Sequence, residues 1–450
     1  MTSLRRFVLA IGLFVLVAGV ASASLSAQNA GSGPAQAPAA TAAPAPGPAP
    51  ASPQQAYTLP PDKLAKAITL NRIRNILEIT GAIWGIVFVW LLLAARAWAG
   101  LEGWVQRITG RRWVQGLLFF AAYFLISTLA SLPLDLIGHH YSRAYGISVQ
   151  GWGSWFWDSA KGLGLTLIFG SPILLLFNWI VRRWPKRYWL GLWVVTLPIM
   201  ALGAFFEPLF VPLFYKQEPL QKNHAALVEK LEAVAARTGI NIPPDRMYLM
   251  KASEKSNGLN AFVAGFGATK RIVVWDTTAG RIPDDEVQFI FGHESGHYVL
   301  HHIPKGLAGS ALGLFFVYWG CAGLAAWMVR RFGAKWGAGE MSSRTGFVVL
   351  LFAISIVTFW LEPASNAFSR HFEHQADVYG QEAIHGIVAD PQKTAVASFN
   401  ALGEAWLEDP NPSPFIEFWF YSHPSVQHRA NFAAHYDPWA NGGRGEFFKN

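Results

Sequence analysis

Six stretches of this chain lack any charged side chain over a length that suits a membrane. They fall at 79–95, 113–134, 162–181, 188–206, 306–329 and 345–361. A helix needs about 20 apolar residues, within a range near 17–25, to cross about 30 Å of hydrocarbon. All six lie in or close to that range. Pro133, Pro172 and Pro198 stand in or at the ends of these stretches. Proline is tolerated in a span when neighbouring groups satisfy the freed carbonyls. One such stretch could be a buried helix of a soluble protein, but six together predict a polytopic membrane protein.

Polar patterning returns between the fourth and fifth stretches. Ala225, Leu227, Val228, Leu231, Val234 and Ala235 recur at helical spacing, and Gly239 stops that helix. Residues 271–275 form a short β-branched and aromatic run that reads as a strand. Pro283 followed by Asp284, Asp285 and Glu286 opens another helix, because acidic side chains suit a first turn. The chain from 362 to 450 is again polar in character. The expected organisation is a four-span membrane domain at 57–215, a polar part at 216–305, a two-span hairpin at 306–361 and a second polar part at 362–450. Ahead of them, Arg5, Arg6, an apolar run at 7–20 and Ala21-Ser22-Ala23 read as a signal peptide or N-terminal anchor over 1–27. An Ala/Pro-rich linker without periodicity or charge covers 28–56.

Composition supports the membrane assignment. The 450 residues are 52% hydrophobic and only 14% charged, with 20 Trp and 32 Phe, against about 25% charged in ordinary soluble domains. The net charge is +8, yet the basic residues form short clusters beside apolar runs rather than one tract. That pattern suits lipid and excludes a nucleic-acid groove as the expected partner. The single cysteine, Cys321, lies in an apolar run and cannot form an intramolecular disulfide.

The chemistry concentrates at His293-Glu294-Ser295-Gly296-His297. Histidines four apart share one helix face and can hold one Zn²⁺. Glu294 stands where it can take a proton from an attacking water. A catalytic zinc usually has three protein ligands, so a third must come from downstream. Glu373 and Asp377, four apart on one presumed helix, are its source: one ligates and the other supports. His371, His374, His301 and His302 compete on spacing alone, but a wet basic helix surface suits them better. Residues 271–275 and the Asn260 segment could hold an extended peptide by strand addition.

These pieces resemble the M48 peptidases, specifically the CAAX prenyl protease 1 (Ste24-type) group. The matching motifs run in order from Leu59-Pro60-Pro61 and Leu132-Pro133-Leu134 through Asn260-Ala261-Phe262 and residues 270–277. They continue through the histidine motif, Ser369-Arg370 with Glu373 and Ala376-Asp377, and Tyr421-Ser422-His423-Pro424 with Arg429. The resemblance implies one zinc on His293, His297 and Glu373, with Glu294 as base and Asp377 as proton donor. It also places His423 and Arg429 beside the substrate, while strand addition would set Asn260, Ala261 and Phe262 against the bound peptide. The expected fold is mainly α: six membrane spans after a signal-like segment, with a zincin-type α+β metalloprotease domain split around the last two spans. The expected partners are a peptide or protein substrate, which the membrane could carry, and the lipid bilayer.

Two other functions remain open to the sequence. A site-2-type intramembrane protease would keep its zinc motif inside an apolar span, whereas His293 is preceded by three acids and every third-ligand candidate lies outside a span. A transporter or scaffold would tend to show internal repeats or lack Glu294, and neither holds. Orientation follows from charge. Arg96, Arg107, Arg111 and Arg112, then Arg182, Arg183, Lys186 and Arg187, then Arg330, Arg331, Lys335 and Arg344 occupy three short inter-span loops or flank them. Short basic loops stay in the cytoplasm. The peptidase parts are therefore expected on the outer face, periplasmic in a bacterial inner membrane. Lys63, Lys66, Arg72 and Arg74 oppose that assignment.

Overall fold

The computed structural model describes residues 55–265, 269–440 and 442–449. The signal-like segment and nearly all of the Ala/Pro-rich linker lie outside the described residues. Each apolar stretch coincides with a long helix, the first to within one residue: α1 (Pro61–Ala94), α3 (Arg112–Ala144), α4 (Trp152–Arg183), α5 (Tyr188–Phe210), α8 (His302–Trp336) and α9 (Arg344–Ile384). A short helix, α2 (Ala97–Ile108), follows the first. Within α4 one turn, Thr166–Gly170, widens to a π-helix just before Pro172. Proline offers no N–H to the preceding turn, and a π-bulge is one way to absorb that loss.

Several helices overrun the apolar stretches that predict them. α1 begins with a polar portion, 61–78, where Arg74 donates to the Trp406 carbonyl at 2.9 Å and Lys63 pairs with Glu404. Both bonds tie α1 to the polar part of the chain. α9 is the most consequential overrun. It starts at the far membrane face, where the Glu102 carboxylate of α2 accepts from the Arg344 and Thr345 N–H groups at 3.0 and 2.9 Å. An anion at a helix N-terminus satisfies free donors and complements the dipole. The same helix then runs without a break out of the membrane and carries Glu373 and Asp377.

The remaining chain builds a small α+β body at one end. Helix α6 (Ala225–Thr238) ends at Gly239 in the left-handed conformation, φ 70°. A four-stranded sheet has the order β1 (Gln217–Pro219), β2 (Met247–Met250), β4 (Arg271–Trp275), β3 (Ala261–Ala264). β2 and β4 are parallel, while β1–β2 and β3–β4 are antiparallel. Helix α7 (Asp284–Val299) packs between this sheet and α9, with α10 (Pro391–Trp406), α11 (Pro414–Phe420) and α12 (Val426–His435) completing the body. Two hydrophobic cores result. One is centred on the sheet, α6 and α7, and the other on the membrane helices.

The sheet overturns one expectation from the sequence. Residues 271–275 were a candidate edge for strand addition, but β4 has β2 on one side and β3 on the other. Both of its ladders are filled, so it cannot accept a peptide. The open edge near the histidine motif is β3.

Candidate metal centre

α7 and α9 meet almost backbone to backbone. A Cβ placed on Gly380 would lie 2.8 Å from the His293 nitrogen, and one on Gly292 would lie 3.1 Å from the Gly380 carbonyl oxygen. Only glycine permits this approach, and the approach brings side chains from the two helices to one point. His293 Nε2 and His297 Nε2 are 3.1 Å apart. Glu373 places Oε2 at 3.4 Å from the first and Oε1 at 3.5 Å from the second. Bonds of 2.0–2.1 Å to a tetrahedral zinc imply ligand separations of about 3.3 Å, so the spacing fits that ion.

The proton positions fit as well. His293 Nδ1 lies 2.9 Å from Asp377 Oδ1, so this nitrogen carries the proton and Nε2 keeps its lone pair. His297 Nδ1 lies 3.1 Å from His302 Nδ1, and His302 Nε2 lies 3.1 Å from Gln375 Oε1. The Gln375 carbonyl can only accept. His302 therefore donates from Nε2 and accepts at Nδ1 from His297, which leaves the His297 Nε2 lone pair free. Glu373 Oε2 is buried and makes no hydrogen bond. Three acceptors without a shared proton converge on one space, and a cation satisfies that arrangement. Among the described residues this trio is the one cluster of three such donors with metal-binding geometry.

His302 corrects the expectation that the neighbouring histidines are wet surface. His301, His371 and His374 are exposed, as expected, but His302 is fully buried and stacks on Phe372 at 4.3 Å. A continuous helix would turn residue 302 about 140° away from residue 297. His301, at φ 59°, breaks the helix and swings His302 back. Spacing rules for one helix could not find it.

Asp377 and Arg429 form a buried pair. Arg429 donates from Nε to Oδ2 at 2.9 Å and from Nη2 to Oδ1 at 2.6 Å, and lies over the Phe399 ring. Both contacts, and the His293 N–H, favour the Asp377 carboxylate over its acid. The expected proton-donor role for Asp377 does not fit this environment. Arg429, expected to face substrate, has a second partner here, because its Nε and Nη2 are engaged by Asp377. His423 does face the centre, with Nε2 3.3 Å from Glu373 Oε1. Burial lowers its pKa.

Glu294 sits between the centre and the sheet edge, with Oε2 3.5 Å from the Val263 nitrogen of β3. Burial raises its pKa to about 7. Burial lowers His297 to about 3, which keeps it neutral as a ligand must be. Asn260 precedes β3 and is bound to Thr278 through both its N–H and its carbonyl. Ala261 and Phe262 turn their side chains into the core. Ala261 and Phe262 can therefore meet a peptide only through their backbone.

Comparison with known proteins gives the family. Residues 221–437 match peptidase family M48, and residues 49–216 match a family described as CAAX prenyl protease N-terminal, five membrane helices. The described residues of that second region hold four span-length helices. An uncharacterized metalloprotease of Bacillus subtilis, YhfN, is 33% identical, covering 83% of this chain and 86% of its own length. A CAAX prenyl protease 1 homolog of Oryza sativa is 27% identical over 70% of this chain and 72% of its own. The crystal structure of S. mikatae Ste24p shares the fold, with a TM-score of 0.70 at 23% identity, over 83% of this chain and 89% of that one.

Proposed function

The chain belongs to peptidase family M48 and is a multi-pass, membrane-embedded metallopeptidase, and on that premise we propose that it is a zinc endopeptidase acting just above the membrane surface. The observation that carries the proposal is the convergence of two imidazole lone pairs and one buried carboxylate beside an ionisable Glu294.

His293, His297 and Glu373 would hold the zinc. When bound, the ion polarises water and the scissile carbonyl. Glu294 accepts the proton of the attacking water at a carboxylate oxygen and passes it to the leaving amine. Its burial supports this role, since a base works best with a pKa near the working pH. His423 presents its imidazole on the open side of Glu373, where an Nε2–H can donate to the oxygen that gains charge. Asp377, held by Arg429, fixes the tautomer and direction of His293, and His302 with Gln375 does the same for His297. The free edge of β3 offers backbone groups of Ala261 and Val263 to an extended peptide.

Helix geometry supports a site near the bilayer. Glu373 is twelve residues beyond the apolar stretch of α9, about 18 Å along the helix at 1.5 Å per residue. The loop charges support an outer-face, periplasmic site in a bacterial inner membrane. The three basic loops share the membrane end remote from the metal centre, as the contacts of Glu102 with Arg344 and Arg344 with Arg112 illustrate. Arg344 is itself paired with Glu102, and so is Lys63 with Glu404 among the opposing charges, which weakens their vote.

The test is metal content with turnover. Purified protein should hold about one zinc per chain. Glu294→Gln should keep that zinc and lose hydrolysis of a reporter peptide by at least about 10²-fold, the lower end of general-base effects. Wild-type turnover in Glu294→Gln would reject the assignment.

A further inference from the structure

Helix α11, with the sequence Pro-Phe-Ile-Glu-Phe-Trp-Phe, is amphipathic the wrong way round for a helix in water. Its acid points inward: the Glu417 carboxylate accepts the Ser425 N–H at 2.9 Å and meets His428 Nδ1 at 2.9 Å. Two of its aromatic rings point outward, with Phe415 59% and Phe418 54% exposed. A helix that turns its only charge back onto the protein and presents two phenylalanines matches an apolar environment outside the protein.

The position of α11 says what that environment is. Trp419 packs on Phe359 and Trp360 of α9 at 5.4 and 5.5 Å. Asn366 and Arg370 of α9 donate to the carbonyls of Trp419 and of Glu417 and Tyr421. These contacts hold α11 level with residues 359–370, where the apolar stretch of α9 leaves the hydrocarbon. Trp360 and Leu361, the last residues of that stretch, are 66% and 44% exposed and continue the same apolar surface. Aromatic residues gather at this depth in membrane proteins, and short helices with apolar faces lie in the plane of the interface.

We propose that α11 is an in-plane membrane anchor, with Phe415 and Phe418 seated at the headgroup–acyl boundary of the same bilayer that the six long helices cross. The occupant of this face is lipid. The anchor has a consequence for the site, because α11 runs directly into Tyr421, Ser422 and His423. Its depth in the bilayer fixes the height of His423, and with it the distance from the lipid at which a peptide is cut.

The experiment is nitroxide labelling of the full chain in phosphatidylcholine vesicles, with Phe418→Cys and Phe415→Cys prepared separately. Cys321 is buried and does not compete for label. Glu232→Cys, on the exposed face of α6, supplies the aqueous reference. Collisions with oxygen should broaden the labels on α11 strongly, and a water-soluble nickel chelate should lose access that it keeps at position 232. Equal nickel access at 418, 415 and 232 would overturn the proposal. So would label-to-label dipolar broadening, which would place the face against a second copy of the chain.

Discussion

Arg429 grips Asp377 with two hydrogen bonds, and Asp377 in turn holds His293 Nδ1 at 2.9 Å. The charge pair is buried, so removing one member strands the other. That costs about 3–5 kcal/mol, whereas removing both leaves no uncompensated charge. Arg429→Ala and Asp377→Ala should each weaken metal retention about 10–100-fold, the usual effect of a group that orients a ligand. The double variant should be more stable than either single one. Additive losses in thermal unfolding would show that the two side chains act independently.

His302 is expected to matter as much as Asp377, although no motif marks it. His302→Ala leaves His297 Nδ1 without its acceptor and frees the ring to turn. Zinc affinity should fall about 10–100-fold, with a smaller fall in Gln375→Ala. An unchanged zinc affinity in His302→Ala, measured by competition with a chelator, would remove it from the centre.

Glu294 sets the acid side of the pH profile. Burial raises its pKa from 4.5 to about 7. The ionised form is the base, so kcat/KM should rise as pH increases through the pKa of the free enzyme. A bound cation favours the carboxylate and draws that pKa back down. The acid limb should therefore lie at or below about pH 7 and vanish in Glu294→Gln. A limb centred well above pH 8 would mean that another group controls the step.

The C-terminal segment braces the site from behind. Glu382 of α9 is fully buried and accepts N–H bonds from Glu446, Phe447 and Phe448. Phe447 and Phe448 stack near Tyr379, the residue between the metal helix and the tail. Glu382→Ala removes the acceptor of three backbone N–H groups on a half-buried segment, each bond worth about 0.5–1.5 kcal/mol. It should lower the unfolding temperature by several degrees. Chains truncated after Gly443 should behave like it, and a truncated chain as stable as the full one would mean that the tail only rests on the surface.

Orientation can be decided by fusion after Asn450. Active alkaline phosphatase at that point supports the outer-face site. Fluorescence from a green fluorescent protein that matures only in the cytoplasm would reverse it.

The long uncharged stretches determined the membrane architecture by themselves, because hydrocarbon tolerates neither charge nor open backbone over about 20 residues. Local spacing likewise placed His293 and His297 on one helix face, and the capping residues around Gly239 and Pro283 marked helix ends correctly. What lies between elements was not legible. Asp377 and Glu373 have the same spacing logic, and only the packing of α9 on α7, through Gly292 and Gly380, puts Glu373 on the histidines and Asp377 behind His293. The left-handed turn at His301 that recruits His302, the pairing of β4 on both sides, and the inward turn of Glu417 are also long-range outcomes. Each depends on which surfaces meet in three dimensions, and a one-dimensional pattern holds only the periodicity of a single element.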